Sequence, residues 1–122
     1  MANEASIRVR IAKNQAKVKG VLDALARALA HISPDDPTAQ DRALRSAADS
    51  YFESIQRGIR GQAALPGARL PLGRQGMDEL LPQVMALLQL PREEAEPQLV
   101  ALRYKTVYGK ELPGQAEAGR ED

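Results

Sequence analysis

The chain is expected to fold as a small all-α, four-helix domain, two helical hairpins joined by a Gly/Pro-rich loop. Three observations predict this. Apolar residues recur at spacings of three and four through residues 7–32 and again through residues 44–59, the signature of amphipathic helices. Aromatic residues are confined to Tyr51, Phe52, Tyr104 and Tyr108, with no Trp, so the core must be aliphatic, which suits packed helices. At 122 residues the chain has room for one modest core, and residues 1–122 are read as a single domain.

The first helix follows from a stripe of Ile7, Ile11, Asn14, Val18, Val21, Leu25, Ala28 and Ile32, widened by Leu22 and Leu29. Pro34 and Pro37 prevent it from continuing. The second begins at Pro37 or Thr38, where Thr38 and Asp41 form a weak variant of the capping box. It places Leu44, Ala48, Tyr51, Phe52, Ile55 and Ile59 in a sector of about 100° and is expected to end at Gly58 and Gly61. Residues 7–60 are thus a basic N-terminal hairpin. Residues 61–76 hold four Gly and two Pro without helical period and read as a connecting loop.

A C-terminal hairpin is expected over residues 77–108. Its first helix, residues 77–90, carries apolar side chains on most sides: Leu80, Leu81, Val84, Met85, Leu87, Leu88 and Leu90. That composition makes it the candidate central helix, with the alternative that Met85, Leu87 and Leu90 present a docking face to another protein. Pro82 calls for a start near Leu81 or an irregular first turn. The last helix covers residues 92–108, with its regular part expected after Pro97. Two faces compete in it, Leu99, Leu102 and Thr106 against Val100, Tyr104 and Val107, and Gly109 is the expected stop. Residues 109–122 are polar and read as a disordered tail.

The charge pattern is uneven. Residues 1–75 hold 12 Lys/Arg against 7 Asp/Glu, and residues 76–122 hold 5 against 9, although the whole chain is only +1. A basic front and an acidic back fit a polyanion-binding half or head-to-tail packing of copies. Cys is absent, which excludes disulfides and thiolate metal sites. No stretch reaches membrane-span length and no signal-type segment opens the sequence. The expected location is cytoplasmic, with no membrane partner.

Catalytic signals are lacking. The one His, His31, falls at the end of the first helix, where a basic residue complements the dipole. No nucleophile elbow or phosphate-cradling Gly motif occurs. Glu93, Glu94 and Glu96 sit where a helix N-terminus favours acids. No catalytic residue, metal ligand or cofactor is assigned.

The basic residues of the first segment carry the functional expectation. On a helix, Arg10, Lys13, Lys17 and Arg27 fall within about 100° of arc beside the apolar stripe. Together with Arg8 and Lys19 they are the candidate nucleic-acid-binding residues, contacting phosphates. The competing reading is a solvated face whose Lys and Arg stems cover the edge of a helix seam. Asn14 is the one polar residue on the stripe. Buried, it would fix register and oligomer state; in a frayed first turn it would be exposed, which its place near the chain's start favours. Arg60, Arg69 and Arg74 punctuate the loop, either as a nucleic-acid-following arm or, as expected, on a plain tether.

Residues 6–11, Ser-Ile-Arg-Val-Arg-Ile, also alternate with the period of a strand. A strand followed by helices at about 14–32 and 38–59 resembles the ribbon-helix-helix DNA-binding family, whose dimeric ribbon enters the major groove. The resemblance covers about half the chain. It implies Ser6, Arg8 and Arg10 toward bases and Ile7, Val9 and Ile11 in a dimer core. It lacks a Pro after the strand, and its connection SPDDPTAQD lacks a short Gly-containing turn.

The function expected from these residues is that of a non-enzymatic nucleic-acid-associated subunit or accessory protein, its C-terminal hairpin serving assembly. The alternative is a helical adaptor or structural assembly protein, such as a chaperone, virion or secretion component. It would dock a protein partner or further copies of itself through helix faces.

Overall fold

The computed structural model describes residues 4–62 and 71–112, with side chains from Ser6 onward. Arg69 and residues 113–122 of the expected tail lie outside the described residues. The chain is all-α: α1 spans Glu4–Ala30, α2 Pro37–Arg60, α3 Arg74–Leu88 and α4 Arg92–Tyr108. No described residue is in a strand. Residues 6–11 form the start of α1, so the ribbon-helix-helix alternative lacks its ribbon. Val9, which fits the strand pattern and breaks the helical one, is simply left 54% exposed on the helix surface.

The α1 stripe is buried through its middle, at Asn14, Val18, Val21, Leu22 and Leu25. Its ends are looser, with Ile7 and Ile11 half-buried and Ala28 exposed. The turn that follows is capped by Asp36, not Thr38: the Asp36 carboxylate accepts from the Ala39 amide at 3.0 Å. Pro37 then occupies the first helical position, where its missing N–H costs nothing. The Gln40 side chain donates back to the carbonyls of Ser33 and Pro34, each at 3.1 Å.

α2 buries the face its spacing predicts, at Ala47, Ala48, Tyr51, Phe52, Ile55 and Ile59. Gly58 does not end it; the helix runs on to Arg60, and Gly61 follows as the cap. Gln56 of α2 forms a reciprocal pair with Leu72 beyond the helix, donating to its carbonyl and accepting from its amide, both at 2.8 Å. This pair holds the end of the connection against α2. It helps to explain why α3 begins at Arg74, three residues earlier than the apolar pattern suggests.

The burial of the last two helices reverses the expectation from composition. α3 fully buries only Val84, Leu87 and Leu88, while Met85 is half-buried and Leu90 is 37% exposed. α4 is the more enclosed helix, burying Ala95, Leu99, Val100, Arg103, Tyr104, Thr106 and Val107. It packs against α1, α2 and α3, so both of its competing apolar faces are used. Pro82 and Pro97 lie inside their helices on exposed positions. A proline removes one backbone hydrogen bond, and on a solvent-facing side the orphaned carbonyl remains accessible to water. α4 ends at Gly109, whose φ of 73° is the left-handed conformation open to glycine.

No helix among the described residues is long and apolar enough to cross a membrane.

Candidate functional site

α1 and α4 run antiparallel. Asp23 meets Arg92 at 2.7 Å near one end of the pair, and the Arg10 guanidinium lies 4.8 Å from the Tyr108 ring centroid near the other. Between them sits a buried polar network. Arg103, only 4% exposed, extends from α4 toward both α1 and α2. Its Nη1 donates to Asn14 Oδ1 at 2.6 Å. Its Nε donates to Ser54 Oγ at 3.1 Å, and its Nη2 to the Ser54 carbonyl at 2.8 Å. Asn14 in turn donates from Nδ2 to the Arg10 carbonyl at 2.6 Å, and Ser54 Oγ donates to the Tyr51 carbonyl at 2.7 Å.

Asn14 is therefore fully buried, contrary to the frayed first turn expected of it. It does fix a register, but between α1 and α4 of one chain. Arg103 was not visible as a site residue from sequence. The only signal was its place four residues after Leu99 and four before Val107, on a line of buried positions. Among the described residues each acceptor that holds its guanidinium is neutral. Burial lowers the Arg103 pKa, and the nearby Tyr108 and Tyr51 oppose that shift.

Gly58 makes the close approach possible. A Cβ at this position would lie 3.1 Å from a Val107 methyl and 3.2 Å from Arg103 Nη2. Without one, the guanidinium lies against the α2 backbone and forms the floor of a groove of about 440 Å³. Lys13 and Lys17 of α1, Arg57 and Gln62 at the end of α2, and Tyr108 of α4 also line it. Among the described residues, no carboxylate lines it. Arg57 pairs along its own helix with Glu53 at 2.6 Å, where both side chains are largely exposed; such pairs are worth little and exchange readily.

The predicted basic residues divide between three places. Lys13 and Lys17 enter the groove. Arg10 adjoins it, stacked on Tyr108, whose ring lies 4.8 Å from that of Tyr104. Lys19 lies on the other flank of α1, in a separate groove with Glu96. Helical geometry puts the exposed Arg8 on that same flank. Arg27 is exposed in the last turn of α1, outside both grooves. Arg57, Arg103 and Gln62 join the site from segments that sequence reading assigned to packing or to the loop. Arg60 and Arg74 end α2 and begin α3, outside the groove.

Tyr51 supports the same region from below. Its hydroxyl donates to the Leu99 carbonyl at 2.6 Å, and burial pushes its pKa upward, partly offset by Arg103. The phenol stays protonated in the folded state where an unfolded tyrosine, with a pKa near 10, ionises. Stability is thus fully present below about pH 10 and falls above it, by at most ~1.4 kcal/mol per pH unit. Urea denaturation of Tyr51→Phe across this range should show a shallower alkaline decline than the parent chain. An unchanged decline would remove Tyr51 as its cause.

No family model, curated protein or solved structure matches this chain. The functional reading therefore rests on the groove.

Proposed function

We propose that the protein is a non-enzymatic nucleic-acid-associated subunit or accessory protein that contacts backbone phosphates through this groove and its rim. One observation carries the reading: Lys13 and Lys17 of α1 converge with Arg57 and Arg103 on a single concave surface that, among the described residues, no carboxylate lines. Converging cations attract polyanions, and the counterions released on binding make affinity depend on salt. Arginine adds a planar fork that matches two phosphate oxygens. Arg10 and the exposed Arg27 extend positive charge along the same side of α1.

The test is a titration of the full chain into labelled duplex DNA and single-stranded RNA at two salt concentrations. Binding should weaken steeply as salt rises. Lys13→Glu with Lys17→Glu should remove most of it, because both amines lie at the exposed rim. Nucleic-acid binding that is indifferent to the double substitution would sink the reading.

A helical adaptor remains the second reading, favoured by a mainly apolar groove of about 510 Å³ between α1 and α4. Ile11, Ala16, Pro97, Val100 and Leu112 line it. Apolar docking there would change little with salt, which separates the two readings.

A further inference from the structure

We propose that the basic groove is a seat for a phosphate monoester, the terminal phosphate of a single nucleic-acid strand, with Arg103 at its floor and Lys13 and Lys17 at its rim. This deepens the nucleic-acid reading and rests on it for the nature of the strand, though not for the phosphate chemistry.

The floor supplies the first argument. A buried guanidinium without a counterion is costly, and a carboxylate is its usual partner. Among the described residues Arg103 has only neutral acceptors, Asn14 Oδ1, Ser54 Oγ and the Ser54 carbonyl. Those contacts use one N–H on each of its three nitrogens. A guanidinium has five N–H groups, so Nη1 and Nη2 each keep one further donor. Because Arg103 lines the groove, an anion seated there supplies the charge that the protein leaves out.

Shape supplies the second argument. An internal phosphodiester carries two sugar arms and about one negative charge. It lies on the outer surface of a duplex, suited to contact with exposed side chains. A terminal monoester has a single arm, between one and a half and two negative charges near neutral pH, and three free oxygens. Only a group with one arm descends readily to a floor that is 4% exposed. Lys13, Lys17 and Arg103, with Arg57 shared with Glu53, match the charge of a dianion better than that of a diester. Gly58 keeps the Arg103 side of the floor clear of a side chain.

The experiment compares single-stranded oligonucleotides with a 5′-phosphate or a 5′-hydroxyl, each labelled at the 3′ end, by fluorescence anisotropy with the full chain. Inorganic phosphate and a mononucleotide serve as separate probes, followed through the Gly58 amide and Arg103 Nε–H resonances. The phosphorylated strand should bind tighter by about tenfold or more, equivalent to ~1.4 kcal/mol. Lys13→Gln with Lys17→Gln, at exposed positions that leave folding intact, should erase that preference. Arg103→Lys, which keeps the charge and loses the fork, should do the same if circular dichroism shows it folded.

Equal binding of the two strands, with steep salt dependence, would overturn the monoester seat while leaving the nucleic-acid reading in place. Failure of both strands alongside saturable phosphate or mononucleotide shifts at Gly58 and Arg103 would uphold the seat and overturn the nucleic-acid reading. Absence of every response would end both.

Discussion

Replacing Asn14 with Leu should lower the stability of the folded chain by about 1.5–3 kcal/mol, the range for a hydrogen bond to a charged group. Asn14 is fully buried, and its Oδ1 accepts from Arg103 Nη1 at 2.6 Å. Leucine suits the helix and the surrounding apolar side chains, so the loss falls almost entirely on the stranded guanidinium. Adding Arg103→Met removes that charge. The double variant should then be more stable than the sum of its two single changes predicts, with an interaction energy within the ~0.5–3 kcal/mol seen for neighbours in one network. Urea denaturation of the four proteins measures this, and strict additivity would show that the contact is energetically idle. Replacing buried ionic groups by well-packed apolar ones is often neutral or favourable. A double variant that folds as well as the parent but binds no phosphate would therefore place the reason for Arg103 in binding.

A larger loss is expected at Ile55, which is fully buried on α2. Ile55→Ala should destabilise the protein by about 2–5 kcal/mol, combining lost apolar transfer with the cavity left behind. The position has little freedom to collapse, because α2 packs against α1, α3 and α4. Leu90→Ala makes a matched control. With Leu90 37% exposed just beyond α3, its loss should stay near the ±0.5 kcal/mol typical of surface changes. Comparable losses at the two positions would mean that Leu90 is covered by a second copy of the chain, and repeating the denaturation across protein concentrations tests that explanation.

The helices were legible because periodicity reports burial directly: the α2 residues Tyr51, Phe52, Ile55 and Ile59 sit where their spacing puts them. Relative burial was less legible. α3 has the more apolar sequence but lies with one face outward, whereas α4 combines two modest faces and is enclosed from three sides. A single helix's composition cannot reveal how many neighbours it acquires. The interior prolines misled for a related reason, since their cost depends on whether the orphaned carbonyl can face water. At the groove, Lys13 and Lys17 could be found because one helix fixes their relation. Arg57 and Arg103 could not, because only tertiary packing brings three helices together there. Asn14 was the nearest clue: a lone amide on an apolar stripe calls for a polar partner, and the chain does not say which of its many polar residues that is.

The Asn14–Arg103 bond joins positions 89 residues apart. Contacts so distant along the chain pay their loop-closure cost only when most of the molecule is already assembled. Local pairing of α1 with α2 can precede them, and the guanidinium then gives up its water as α4 docks. The stabilisation held in this bond should accordingly appear as slow opening of the native state, with little influence on how quickly it forms. In stopped-flow experiments Asn14→Leu should speed escape from the folded state while leaving the refolding limb of the chevron nearly in place, so that the groove's floor acts as a latch closed at the end of folding.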